Sequence, residues 1–549
     1  MTTLNSPLQQ KEGLFTVNGK SLAVTFALVS SLFFLWAVGN GMIDVMDKHF
    51  QDELHLSKSQ SAWVQFAHYL GYFLMSMPAG WLAGKLGYKG GIISGLMFVS
   101  LGGFWFLAAT HIAQFWAFLL GVCVIASGFT FLETVANPYT TVLGPQKYAA
   151  ARINLAQSAN GVGWIFGPII GSLYFYSKNA QGVSTGSQTL YIPYVTIACI
   201  VIVIAIIFAF AQVPDIKAED DYAIDKADPS TEAVAERRIN RGLIYVLMLL
   251  NAVVLTGACA MILWVILSTS GVSDATIARS LYFFGAFGVV LSAVLLVPAN
   301  KKITHHSMWS HPHFSSATLA QFFYVAAQAG IFSFFVNSMT IDRNTGFCMV
   351  PAIPDWMNST VDSIAHSLPI RILHLQDWMT GWFETRNGAL AISDAGASAL
   401  QSVGFVCFLL GRFTGAAMLK RFSAHKMLGI YALCNVFICF LILSNLGWTS
   451  VVCIFLSFFF MSIMFPTIFA LGIFGLGAKA KRASSFIVMA IMGGAILPKL
   501  MGLIADKYNM AHGYVVPIFC FAIIAAYAFA WPMLSGSKSM HGVNAAGGH

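Results

Sequence analysis

The chain alternates long apolar runs with short polar connections. Crossing a bilayer takes about 20 mostly apolar residues. Fourteen runs meet that length or come close: residues 21–46, 60–83, 89–109, 113–137, 152–177, 191–212, 242–267, 280–298, 316–339, 395–419, 426–446, 449–474, 483–505 and 513–534. The first is too long for the ~7–15-residue apolar core of a signal peptide and has no small-residue cleavage site, so it counts as a helix. The shortest is 280–298. The pattern predicts an all-α polytopic membrane protein.

Basic residues orient it. With the N-terminus inside, the cytoplasm receives Lys11, Lys20, Lys85, Lys89, Lys147, Arg152, five residues of 213–241, Lys301, Lys302, Lys420, Arg421, Lys426, Lys479, Lys481, Arg482 and Lys538, or 20 of 30. Eight fall on the other side, and Arg412 and Lys499 lie within spans. That bias places both termini in the cytoplasm. The expected partition is a cytoplasmic tail over 1–20, a six-helix bundle over 21–212, a charged cytoplasmic linker over 213–241 and an inserted helix pair over 242–298. A second six-helix bundle over 299–534 carries a long outer loop, 340–394, with a surface helix; 535–549 is a cytoplasmic tail.

Traces of an internal repeat support this partition. NPYTTVLG (137–144) and FPTIFALG (465–472) share a proline, a leucine and a glycine at equal offsets. GWLAGKLGYKGG (80–91) and GRFTGAAMLKRFSAHK (411–426) both end a span in glycines and a basic turn. The matches pair span 4 with span 12 and span 2 with span 10. Six spans, an inserted pair and six more keep the two halves parallel, as in transporters built from parallel repeats. The arrangement resembles the major facilitator fold with two additional central helices, about 14 spans in all.

Composition agrees. The chain is 57% hydrophobic and 9% charged, with mean hydropathy +0.73, against about 25% charged in soluble domains. The solvent is therefore lipid, and a net charge of +8 points to cytoplasmic loops rather than nucleic acid. Eight of nine cysteines, all but Cys348, lie in apolar runs without paired spacing and read as small hydrophobes. His305, His306, His311 and His313 lack nearby acids or cysteines and read as a solvated loop, so no metal site, cofactor or enzyme activity is expected.

Polar residues inside the spans carry the candidate chemistry. An acid at a helix centre costs ~2.5–3.5 kcal/mol on the insertion scale and usually marks a pathway. Glu133 follows the run 113–132, and its repeat counterpart is Met461, so symmetry does not require a carboxylate there. Asp44 lies one turn after Asn40, and Asn137 one turn after Glu133. Gln157, Asn160, Gly161, Trp164 and Pro168 form one stripe of span 5. Span 2 adds Gln65, His68, Tyr69 and Tyr72; span 9 adds Gln321, Tyr324 and Gln328. Amides and acids bond sugar hydroxyls, while indole and phenol rings cover the apolar C–H face. His68 reads as structural. Arg412, about two turns from Lys420, reads as a structural or gating cation that snorkels toward the cytoplasm.

SLFFLWAVGNGMIDV, FLETVANP, TVLGP, RINLAQSANG, AQFFYVAAQ, GRFTG, FPTIFALGI and SSFIVMAIMGG closely resemble the L-fucose–proton symporter family, a branch of the major facilitator superfamily. The resemblance covers spans 1–6 and 9–14. It implies that Asp44 and Glu133 serve coupling and sugar recognition and that Gln157 and Asn160 belong to the sugar cavity. One departure is visible. Where fucose permeases of the family read NNLND, this chain reads NGMID, so Gly41 lacks an amide and the sugar's identity stays open.

The resulting expectation is proton-coupled import of a neutral monosaccharide, L-fucose first, by alternating access. Proton coupling falls to Asp44 and Glu133. Sugar binding falls to Asn40, Gln65, Tyr69, Glu133, Asn137, Gln157, Asn160, Trp164, Gln321, Tyr324 and Gln328. Glucose, galactose or N-acetylglucosamine are alternative substrates, and sodium is the alternative coupling ion. Fourteen-helix drug–proton exporters would show a more apolar cavity. A non-transporting sugar sensor is the alternative class, although 213–241 is short for a signalling domain. The expected setting is a monomer in the inner membrane, whose partners are the sugar and the lipid bilayer.

Overall fold

The computed structural model describes residues 15–535 apart from 18–19, 145–148, 178–184, 212, 214–240, 270–273, 304–308, 310, 343–344, 368–374, 387–388, 420–421, 475 and 477–479. Both expected tails and the charged linker fall almost wholly outside the described residues. The long helices are α1 (Ala23–Glu53), α2 (Trp63–Ile112), α3 (Phe115–Val142), α4 (Ala149–Phe175), α5 (Tyr191–Phe210), α6 (Arg241–Thr269), α7 (Asp274–Ile303) and α8 (Pro312–Ser333). After the long loop come α9 (Asp394–Met418), α10 (Ala424–Leu443), α11 (Trp448–Met461), α12 (Met464–Ile473), α13 (Ala480–Met489), α14 (Gly493–Lys507) and α15 (Val515–Ser535).

Among the described residues, nine helical segments are long and apolar enough to cross a membrane. The first part of α2, α4, α6, α7 and α8 cover the other predicted runs, so helix stands on all fourteen. In lipid a backbone must satisfy its own hydrogen bonds, and the helix does so locally. Phe210, Tyr282 and Met533 are 86%, 77% and 82% exposed. Apolar surface of that kind belongs against acyl chains.

α2 holds 50 residues; a straight helix of that length would run about 75 Å at 1.5 Å per residue. It is two spans joined at Gly87, where φ 70° and ψ −178° break the helix. Only glycine enters that region freely, so the predicted basic turn is a single-residue break within one helical stretch. The run 280–298 also proves longer than its apolar core: α7 has 30 residues.

Packing repeats between the halves. In the first, α1 lies along α4, the first part of α2 along α3, and the second part of α2 along α5. In the second, α8 lies along α14, α9 along α11, and α10 along α15. Counted as spans, the pairs 1–5, 2–4 and 3–6 recur as 9–13, 10–12 and 11–14. The contacts between halves, α4 with α9 and α2 with α14, are likewise spans 5–10 and 2–13. These pairings match a two-fold axis along the membrane normal.

The inserted α6 and α7 pack on each other and lie across the seam. Trp264 of α6 meets Phe115 edge-on at 5.9 Å, a Cβ on Gly257 would meet the Phe66 ring at 2.7 Å, and α6 also touches α8 and α14. The long loop contains helices at Asp355–Ser367 and Leu375–Thr380 and an antiparallel hairpin, β3 (Phe383–Arg386) with β4 (Ala389–Ile392). A smaller hairpin pairs β1 (Thr16–Val17) with β2 (Lys20–Ser21). The surface helix was expected; the β3–β4 hairpin was not, although Asn387-Gly388 is a strong two-residue hairpin signal.

Among the described residues all nine cysteines are free; Cys439, Cys453 and Cys520 are buried, whereas Cys199 and Cys259 are exposed. His313 corrects the solvated-loop expectation. It is 5% exposed and its Nε2 lies 2.8 Å from the Phe474 carbonyl, which docks the start of α8 onto the end of α12.

Candidate functional site

A cavity with about 850 Å³ of empty space, part of it open to solvent, lies between the halves. From the first half come Trp36 and Asn40 of α1, His68, Tyr69 and Tyr72 of α2, Glu133 of α3, and Gln157, Asn160 and Trp164 of α4. The second half supplies Tyr324, Gln328 and Phe332 of α8, Phe408 and Arg412 of α9, and Phe465 of α12.

Helical spacing builds each wall. Gln157, Asn160 and Trp164 recur at three and four residues, so one face of α4 presents two amides and an indole. Asn40 follows Trp36 by one turn and donates to its carbonyl at 2.8 Å. The Trp36 indole N–H donates to the Tyr72 hydroxyl at 2.6 Å, locking α1 to α2. The Trp36 and Trp164 rings meet edge-on at 6.1 Å, while Trp164 stacks on Phe405 at 4.9 Å. An aromatic corner is held in place without using the amides.

Several polar atoms remain available. Glu133 Oε2, Asn160 Nδ2 and His68 Nδ1 are buried without a hydrogen-bond partner in the protein. Unmet polar atoms in a cleft are costly unless a ligand meets them. Gln157 is partly committed, since its Nε2 donates to Asn137 Oδ1 at 3.0 Å. Tyr324 donates to the Met461 carbonyl at 3.1 Å, which places Glu133's repeat counterpart beside the second wall.

Of the sequence candidates, Asn40, Tyr69, Glu133, Gln157, Asn160, Trp164, Tyr324 and Gln328 line the cavity. Asn137 sits behind Gln157. Asp44, Gln65 and Gln321 do not line it: they are 4%, 1% and 0% exposed. Both side-chain atoms of Gln65 and Gln321, and Oδ2 of Asp44, lack partners. His68 lines the cavity as well as packing edge-on against Tyr69 and Tyr72. Arg412 does not snorkel away. Its Nη1 donates to the Gln157 carbonyl at 3.3 Å, its Nε to the Ser462 carbonyl at 3.4 Å, and its guanidinium lies 5.0 Å from the Phe408 ring. That side chain bridges the halves. Trp36 and Phe332 were not singled out; Trp36 was signalled only by its one-turn spacing from Asn40.

Gly41 faces α4 rather than the cavity. A Cβ there would meet Gly167 Cα at 3.1 Å, and one on Gly167 would meet Gly41 Cα at 2.6 Å. The missing amide thus belongs to a close helix crossing in which small residues let backbones approach.

At the Glu53 end of α1 the halves are clamped. The Lys58 ammonium pairs with Asp342 and lies 3.9 Å from Asp506, whose carboxylate accepts the Lys58 and Ser59 backbone N–H at 3.0 and 2.9 Å. Asn337 donates to Gln51 at 2.6 Å and accepts from it at 3.3 Å. Ser398 donates to the Pro168 carbonyl at 2.9 Å. Lys48 lies between Asp52, 3.1 Å away, and Asp394, 3.8 Å away.

Two parallel six-helix halves enclosing a largely apolar cavity set with amides, a carboxyl and a guanidinium define a multi-pass membrane transporter of the major facilitator type. The model of the Major Facilitator Superfamily matches residues 24–368. The L-fucose-proton symporter of Escherichia coli is 31% identical over 93% of both chains. A glucose/galactose transporter of Brucella abortus is 25% identical over 97% of this chain and 98% of its own. The crystal structure of the E. coli fucose:proton symporter superposes with a TM-score of 0.56 at 28% identity, covering 93% of this chain and 99% of that one. This chain belongs to the L-fucose–proton symporter family, the fucose/glucose/galactose permeases, within the Major Facilitator Superfamily.

Proposed function

We propose that the protein imports a neutral monosaccharide together with a proton by alternating access, with L-fucose the first candidate substrate. The observation that carries this reading is the cavity wall, where Glu133 Oε2 and Asn160 Nδ2, both unpartnered, line the same cavity as an aromatic corner made by Trp36 and Trp164. Hydroxyls of a pyranose satisfy the first pair, and its C–H face covers the second. The names of the relatives, L-fucose-proton symporter and glucose/galactose transporter, support the same substrate class. Glucose or galactose is the second reading, because relatives of similar coverage bear that name.

With both termini in the cytoplasm, as the basic residues indicate, the clamped end faces outward. Loading from outside then requires the Lys58–Asp342–Asp506 cluster to part while the opposite end closes. Proton coupling is assigned to two acids, Glu133 in the cavity wall and Asp44 buried behind it, so that proton and sugar cross together. The chain acts as a monomer in the cell's inner membrane.

Uptake into proteoliposomes tests this, using a panel of labelled monosaccharides under imposed proton or sodium gradients. Proton-driven accumulation of fucose, glucose or galactose is expected. Stimulation by sodium alone would overturn proton coupling, and no uptake of any sugar would favour a sensor.

A further inference from the structure

Asp47 is fully buried, 0% exposed, and neither carboxylate oxygen has a hydrogen-bond partner in the protein. It follows Asp44 by three residues, so both acids project from one face of α1. We propose that Asp44 and Asp47 form one proton-binding pair, faced by the Gln65 amide and separate from the sugar cavity. The proposal rests on the proton-coupling reading above and deepens it.

Four observations carry it. The two carboxyl groups lie within electrostatic reach of each other, and the Gln65 side chain faces both. Gln65 is 1% exposed and neither of its polar atoms is otherwise engaged, so it is aimed at the acids. The Ser333 hydroxyl approaches Asp47 from the second half but donates its own proton to the Ala329 carbonyl at 2.8 Å. None of Asp44, Asp47 and Gln65 lines the cavity.

Among the described residues no basic group balances the pair. Lys48 turns to Asp52 and Asp394, and His49 packs against Phe175 and Tyr176. On α2 the neighbour is Tyr69, on α5 Tyr194, and just after α4 Tyr176; on α8 it is Ser333. Two adjacent carboxylates out of water cannot both stay ionised without a countercharge. The pair must hold a proton in the clamped state, forming one O–H bond on either acid and titrating as a unit. Ser333 and Asn337 belong to the second half and Asp47 and Gln51 to the first. Parting the clamp therefore uncovers the pair to outside water, which supplies the proton, and closing traps it.

Two measurements on the full-length protein in lipid test this. Infrared titration of purified Glu133→Gln reads protonated carboxyls without needing transport. A carboxyl C=O band is expected, and adding Asp47→Asn should remove or displace it. In proteoliposomes, Asp47→Asn alone should need about tenfold more protons for half-maximal uptake, a one-unit acid shift of the pH profile, because Asp44 loses its charged neighbour. Asp47→Ser repeats both measurements if the asparagine variant does not fold. An unchanged band and an unchanged pH profile would overturn the pair. Absence of sugar uptake by the wild type would overturn the transport reading while the infrared result still decides the pair.

Discussion

At the scale of single residues, Glu133 and Asn160 line one cavity with different chemistry. Each leaves one buried polar atom unpartnered in the cavity, but only the acid can carry a proton. In Glu133→Gln the side chain keeps its size and hydrogen-bonding capacity and loses its titration. Gradient-driven accumulation should fall to an inside-to-outside ratio of one while sugar exchange survives, as counterflow measurements would show. Trp164→Ala removes the ring that meets Trp36 and stacks on Phe405. Apparent affinity for sugar should drop about tenfold or more, the scale of one lost aromatic contact at ~1.4 kcal/mol, with Trp164→Phe recovering part of it in the same uptake assay. Glu133, Asn160 and Trp164 were legible as cavity-lining residues because charge, amide and indole stand out in an apolar helix. Asp47 was not: it sits near the end of its span beside Lys48 and looks like an interfacial ion pair. Only packing shows that Lys48 turns to other acids and leaves Asp47 dry.

At the scale of elements, the close crossing of α1 and α4 sets where Asn40, Asn160 and Trp164 stand. Gly167→Val would drive a side chain into the Gly41 backbone, where a Cβ already comes within 2.6 Å of Cα. Overpacking of this kind costs typically ~1–3 kcal/mol, and backbone on backbone leaves little to yield. The variant should melt at lower temperature in detergent and transport poorly, whereas Val162→Ala, at an exposed position of the same helix, should melt as wild type does. The spans themselves were legible, since a bilayer imposes one length on every crossing. Their joints were less so. Residues 80–91 carried the glycines and lysines of a loop, yet only Gly87 leaves helical geometry. The long loop offered one hairpin signal, Asn387-Gly388, flanked by strands of only four residues that draw little notice beside apolar runs five times longer.

At the scale of the molecule, ionic ties between the two six-helix halves gather at the Glu53 end of α1, and this clamp holds that end shut. Removing one partner of a buried ion cluster costs about 3–5 kcal/mol, and ~5.5 kcal/mol is enough to reverse a two-state population from 1:99 to 99:1. Lys58→Gln should therefore move a large share of molecules to the state open at that end. Spin labels introduced as His55→Cys and Thr345→Cys, in a background without the native cysteines, would report a longer distance across the seam than in the parent. The repeat was visible as two short matches, and they paired the spans correctly. The clamp was invisible, because Lys58, Asp342 and Asp506 lie hundreds of residues apart in the chain and meet only after both halves have formed. The α6–α7 hairpin touches both halves, and a body that touches two rocking partners cannot remain fixed to both. One of its faces has to slip in each cycle, and a phenyl ring resting on bare Gly257 is a bearing that turns without a hydrogen bond to break.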